Sequence, residues 1–258
     1  MLMEVNMNSL KKYFDLLLVM TDKEIKARYK RAVFGFLWVV LNPLFQMLII
    51  GLVFSYFIKI PNYFLFLFTG LLPWEFFSLS LNKATSSIVY ERSLLKKAKF
   101  PREIIPISII LANFFHLLIS LILLLIWLIL AGRLAVIRFD WLLIAILWLL
   151  IFTIGLSLLT SSLQVKFRDI SFLMKALLNL WFYATPVMYS LKLVPIGLRQ
   201  WFKYNPLATV IELIHGALLG QSLMTANLVL PNLGLSILIV ILGVWIFKKK
   251  DKFFNDWL

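Results

Sequence analysis

The chain has no cysteine, which excludes disulfides, thiolate nucleophiles and cysteine metal sites. Histidine is nearly as rare. His116 and His215 stand 99 residues apart, and neither has a second ligand residue at metal spacing. Acidic residues number 12 against 26 Lys and Arg, and they are dispersed and mostly in loops. No clustered acid–base set for catalysis is present. The phosphate-cradling pattern G-x-x-x-x-G-K-[ST] is missing as well, so any ATP-driven work must be powered by a separate polypeptide. Alternating apolar and polar strands of about ten residues, the signature of a membrane barrel, do not occur. The apolar patch Leu16–Met20 is short and follows Asp15. It does not read as a signal peptide, and insertion is expected to rely on the first true span.

What the chain has in abundance is apolar surface. Hydrophobic residues make up 62% of it, aromatic residues 16%, and the mean hydropathy is +0.94. Several long apolar runs mean a polytopic helical membrane protein, because only helices or closed barrels satisfy their backbone groups in lipid. The formal charge of +14 is not a nucleic-acid signal here. The basic residues cluster beside spans, where topology and anionic lipid account for them.

The organising stretch runs from Lys23 to Pro43. Lys23, Lys26, Arg28, Lys30 and Arg31 crowd its first nine residues, and from Ala32 to Ile58 the composition turns apolar. The sequence predicts a cytoplasmic amphipathic interface helix over 1–32, followed by a transmembrane domain over 33–258. Leu10, Phe14, Leu17 and Leu18 can share one face of that helix. Thr21–Glu24 has a capping-box pattern that would restart it. Six spans are expected, at about 33–58, 63–89, 104–131, 141–163, 170–189 and 228–247. Two short amphipathic pieces flank Asn205-Pro206, each too short to span. They predict a re-entrant hairpin on the outer side over about 196–222. With this threading the inner segments hold 19 Lys and Arg and the outer segments six, with Lys83 inside a span. That split places both termini in the cytoplasm.

Several motifs carry a family resemblance. They are K-x-R-Y-K-R-A-V-F-G-F-L-W-V-V-L-N-P-L at the first span, L-L-K-K-A-K-F-P-R-E-I-I-P (Leu94 to Pro106), and F-R-D-I followed by P-V-M-Y (Phe167 to Tyr189). Y-N-P-L with G-A-L-L-G (Tyr204 to Gly220) completes the set. In this order they resemble the permease subunits of ABC transporters that export lipid-linked polysaccharides (O-antigen, capsule and teichoic acid). The resemblance covers nearly the whole chain. It implies a homodimer with the channel between its halves, in the bacterial inner membrane. It also implies two copies of a cytoplasmic ABC ATPase, which binds the ATP and magnesium, so this chain itself binds no cofactor. The implied substrate is a glycan on a polyprenyl diphosphate carrier, moved outward.

The resemblance also assigns roles. A short cytoplasmic helix between spans two and three docks on the ATPase, which points to Glu91, Arg92, Lys96, Lys97 and Lys99, with Lys166 and Arg168 as further contacts. Charge that serves only topology is the plainer reading of the same residues. The carrier's diphosphate needs cations at the inner leaflet, and Arg28, Lys30 and Arg31 fit, since Arg matches phosphate oxygens in fixed geometry. A glycan must cross through a hydrated path, because stripping its hydroxyls of water is costly. The expected lining is Phe34, Trp38, Tyr56, Trp74, Glu75, Phe77, Ser78, Asn82, Thr153, Ser157 and Tyr183. For any single aromatic residue, lipid contact, packing or interfacial anchoring is the plainer reading, and for Ser and Thr helix packing is. Glu75 is a functional candidate as an acid in a span, unless Gly70 and Pro73 bring it to the interface. Two rival functions share these features: a drug or small-lipid exporter of the same superfamily, and a membrane-embedded glycan transferase.

Overall fold

The computed structural model describes residues 7–29, 35–98, 100–220 and 226–254. Every regular element among them is helical. In order they are α1 (Met7–Tyr29), α2 (Trp38–Phe54), α3 (Tyr63–Tyr90), α4 (Arg92–Lys97) and α5 (Ile104–Leu130). Then follow α6 (Phe139–Lys166), α7 (Ile170–Tyr183), α8 (Ile196–Arg199), α9 (Pro206–Leu219) and α10 (Ala226–Asp251). Among the described residues, four helices are long and apolar enough to cross a membrane: α3, α5, α6 and the Val229–Asp251 part of α10. Helices α2, α7 and α9 are apolar but shorter, at 17, 14 and 14 residues. Within the expected first span, residues 33 and 34 lie outside the described residues. The expected fifth span is helical only to Tyr183.

Helix α3 is the axis of the bundle, packing against α2, α5, α6, α7 and α9. Its apolar residues Phe66, Leu67, Leu71, Phe77 and Leu81 are almost wholly buried. Lipid tails are as apolar as leucine, so polar links and close backbone approach must specify how such helices meet. Polar links recur along the bundle. Thr85 Oγ1 and Thr160 Oγ1 share a hydrogen bond of 2.8 Å between α3 and α6. Trp148 Nε1 donates to Ser236 Oγ at 2.8 Å, joining α6 to α10. The α6–α10 crossing is also made by two glycines. A Cβ on Gly155 would come within 2.6 Å of Val240 Cα, and one on Gly243 would run into the carbonyl oxygen of Gly155.

Helix α1 is continuous through Thr21. Instead of capping a new helix, Thr21 Oγ1 donates back to the Leu17 carbonyl at 2.7 Å, as a threonine inside a helix commonly does. Helix α1 packs along α5. Tyr13 faces Glu103 at the start of α5; burial, and after it the charge of Glu103, pushes the Tyr13 phenol above its ordinary value. At the other end of α1, Arg28 reaches Asn113 and His116. The two helices therefore run side by side for roughly 20 Å at 1.5 Å per residue. Leu17 and Met20 of α1, Leu95 of α4, the start of α5 and Phe247 and Phe254 at the chain's end form one hydrophobic cluster.

Asn205-Pro206 begins α9. Asn205 Oδ1 accepts from the Ala208 amide at 3.3 Å, the N-cap arrangement, with Pro206 in the first turn where no amide hydrogen is required. Gly220 ends the helix at φ +67°, a left-handed C-terminal position that favours glycine.

Candidate functional site

Several polar residues line a cavity of about 230 Å³ between the end of α1 and helices α2, α3 and α5. Arg28 enters it from α1. Its guanidinium donates to His116 Nδ1 at 2.6 Å and to Asn113 Oδ1. Arg has donors only, so Nδ1 must accept and the imidazole carries its proton on Nε2. Asn113 and His116 are three residues apart on α5, which puts both on one face. Asn113 Nδ2 then donates to Ser80 Oγ of α3 at 3.1 Å. This chain of bonds aims a cation from α1 into the interior between α3 and α5.

The far wall of the same cavity carries Glu75, with Trp38, Asn42 and Pro43 from α2 beside it. Gln46 Nε2 donates to Glu75 Oε1 at 2.8 Å. The cavity is thus two-faced, lined by a bound guanidinium and by a carboxyl. Apolar Leu72, Phe76 and Leu117 line it as well. Such a site offers a cation, a carboxyl and amide groups beside an apolar surface.

Of the residues expected at the diphosphate, Arg28 is in this cavity, and Lys30 and Arg31 lie outside the described residues. Of the expected channel residues, Trp38 and Glu75 line it, and Phe34 lies outside the described residues. Tyr56 and Tyr183 project from the bundle, 85% and 66% exposed. Ser78 and Asn82 are partly exposed on α3. Trp74, Phe77, Thr153 and Ser157 are buried within this single chain. Phe77 stacks on Phe152 with centroids 5.8 Å apart and meets Trp181 edge-on at 5.3 Å. Thr153 Oγ1 bonds to the Leu149 carbonyl in its own helix. These four pack the core of the subunit, which its polar and aromatic patterning alone did not separate from a lining.

On the expected coupling face, Arg92, Lys96 and Lys97 are exposed on α4, and Lys99 lies outside the described residues. Glu91 is engaged within the chain, taking Lys23 Nζ of α1 at 2.7 Å. Lys166 and Arg168 are exposed at the α6–α7 turn. Gln164 fixes that turn by donating to the Arg168 carbonyl at 3.0 Å and accepting the Ser171 amide at 2.7 Å. Sequence reasoning did not foresee the pairing of Arg28 with α5 or of Gln46 with Glu75. The available signals were the i, i+3 spacing of Asn113 and His116 and a lone glutamine in an apolar run.

Residues 15–219 match the ABC-2 type transporter family. The O-antigen export system permease protein RfbA of Klebsiella pneumoniae is 35% identical over 201 residues, covering 77% of this chain and 78% of its own. The protein of the same name in Myxococcus xanthus is 35% identical over 184 residues, or 70% and 71% of the two chains. The polysialic acid transport protein KpsM of Escherichia coli is 25% identical over 213 residues, or 76% and 78%.

Proposed function

The chain belongs to the ABC-2 type transporter family, and from that footing we propose that it is the permease subunit of a polysaccharide exporter. The family makes it a transporter membrane subunit whose ATPase is a separate chain. The observation that carries the substrate class is its 35% identity, over most of both chains, to O-antigen export permeases. The two-faced cavity supports the same reading. Its guanidinium suits the diphosphate of a polyprenyl carrier, and its carboxyl, amide and indole suit the first sugar.

In the proposed topology α2, α3, α5, α6, α7 and α10 cross the bacterial inner membrane, and α8 with α9 dips in from outside. Both termini are cytoplasmic, as the 19 to six distribution of Lys and Arg favours. Helix α1 runs beside α5 from its cytoplasmic end and brings Arg28 to the inner-leaflet side of the bundle. Lys30 and Arg31, outside the described residues, are assigned to the same headgroup from their place in the sequence alone. Helix α4 and the α6–α7 turn meet the ATPase through Arg92, Lys96, Lys97, Lys99, Lys166 and Arg168. Two copies of the chain enclose the path, since six crossings are few for a wide hydrated pore. Trp38, Tyr56, Glu75, Ser78, Asn82 and Tyr183 face it, being the expected lining residues that keep exposed surface.

The test uses cells lacking the gene, in which membrane polyprenyl-diphosphate-linked glycan and surface glycan are both quantified. Full-length lipid-linked polymer is expected to accumulate while surface glycan disappears. Normal amounts of both would end the glycan reading.

A further inference from the structure

A second cavity, of about 450 Å³, lies among the loops at the opposite end of the bundle from α4. Lys59 reaches it from the α2–α3 loop, Arg133 from the α5–α6 link, and Lys192 from the segment after α7. In the proposed topology this is the outer face, where basic residues are disfavoured. Only six Lys and Arg are assigned there, yet three of them, one from each loop, share this rim.

The other outer cations with described side chains are already engaged. Arg138 reaches Asp140 at 3.5 Å and lies over the Trp141 ring. Arg199 donates to the Val194 and Lys192 carbonyls, each at 2.7 Å. By contrast, Lys59, Arg133 and Lys192 make no side-chain hydrogen bond or ion pair among the described residues. The acid within electrostatic reach of Lys192 is Glu212, which takes the Leu191 amide at 3.5 Å and does not line the cavity. The rim is also held in place. The Arg199 clamp and the bond from the Lys192 amide to Ser190 Oγ, at 3.3 Å, fix the loop that presents Lys192.

Among the described residues no Asp or Glu lines this rim, and three cations with no carboxylate beside them in the cavity suit an anion. We infer that this cavity is a site for a lipid-borne phosphate on the outer face. The Arg133 fork and two lysines supply phosphate donors, Asn62 and Ser190 add polar contacts, and Leu193 gives an apolar wall for the first carbons of the chain. The site rests on the proposed topology. It would receive either the carrier diphosphate after it has crossed or the headgroup of an anionic phospholipid.

The experiment uses the full permease–ATPase complex in phosphatidylcholine nanodiscs. Undecaprenyl diphosphate and phosphatidylglycerol are titrated separately, and retained lipid is counted by native mass spectrometry. The triple variant Lys59→Gln/Arg133→Gln/Lys192→Gln is expected to weaken retention about tenfold, each contact being worth a few-fold. Loss for the diphosphate alone identifies the carrier, and equal loss for both identifies a general phospholipid site. Unchanged retention of both overturns the site. Because the chain lacks cysteine, a separate Lys192→Cys variant reports sidedness in whole cells through a membrane-impermeant maleimide. Labelling only after lysis overturns the topology, and the outer site with it. Labelling of intact cells together with unchanged retention overturns the site alone.

Discussion

The Arg28 guanidinium bonds to His116 Nδ1 across 2.6 Å and, with its second terminal nitrogen, to Asn113 Oδ1. One rigid fork thereby ties the end of α1 to two acceptors on α5. Lysine keeps the charge but is a point donor on a flexible stem and cannot hold both acceptors in a fixed plane. Arg28→Lys is expected to lower export several-fold, and Arg28→Gln to lower it further. Surface glycan per unit of permease measures the effect, with co-purification of the ATPase as the control for assembly. Wild-type export by Arg28→Lys would show that charge alone matters at this position.

The Gly155–Gly243 crossing gives a stability prediction. A side chain at Gly243 meets a backbone carbonyl, and backbone cannot swing aside as a flexible side chain can. Gly243→Val is expected to destabilise the fold by about 3 kcal/mol, the upper end of overpacking costs. Gly234 on the same helix has open space around it, so Gly234→Ala should be near neutral. Thermal unfolding in detergent, followed by size-exclusion fluorescence, separates the two. Equal behaviour would contradict the close approach.

Lys23 and Glu91 join α1 to the residue that precedes α4, at 2.7 Å and with 47% and 28% exposure. An ion pair this exposed contributes at most about 1 kcal/mol, so Lys23→Ala should barely change unfolding. Its value lies in holding α1 and α4 in one register. Lys23→Glu is expected to reduce glycan export per ATP hydrolysed, and the swap Lys23→Glu/Glu91→Lys to restore much of it. Reconstituted complexes give both rates. Failure of the swap to rescue, with both variants folded, would assign Glu91 to the ATPase surface instead.

Composition and apolar run length were enough to read α3, α5, α6 and α10 as long membrane helices, because burial in lipid demands 20 or so apolar residues whatever the partners are. The break at Asn205-Pro206 before α9 was legible from the short amphipathic pieces on either side of it, whereas the cap that Asn205 makes was not read. The candidate site was only half legible. Glu75 and Arg28 stood out as charges in or beside apolar runs, but their partners Gln46, Asn113 and His116 are 29, 85 and 88 residues away. Helical periodicity names a face and does not say which helix that face meets. The same gap left Phe77 among the expected lining residues: it has the residue type of a channel wall, and it is buried against Phe152 of α6 and Trp181 of α7.

Asn205 holds three things at once. Its Oδ1 caps α9 and accepts Trp181 Nε1 at 3.0 Å, while its Nδ2 donates to the Ala184 carbonyl at 3.0 Å. Asn205→Asp keeps the cap oxygen but loses both donor hydrogens, leaving the Ala184 carbonyl facing a carboxylate. Asn205→Ala loses the cap as well, which by itself costs about 1 kcal/mol. Serine can cap but is too short to reach Trp181 and Ala184 together. The expected order of stability is therefore Asn above Ser, with Ala lowest of the uncharged variants. Because this side chain joins α7 to α9, Asn205→Ala should also raise proteolytic nicking in the 184–205 segment of the folded complex. Limited proteolysis with peptide mapping reads this directly. If nicking stayed at the wild-type level while the melting temperature fell, Asn205 would act as a helix cap and not as the clasp between α7 and α9.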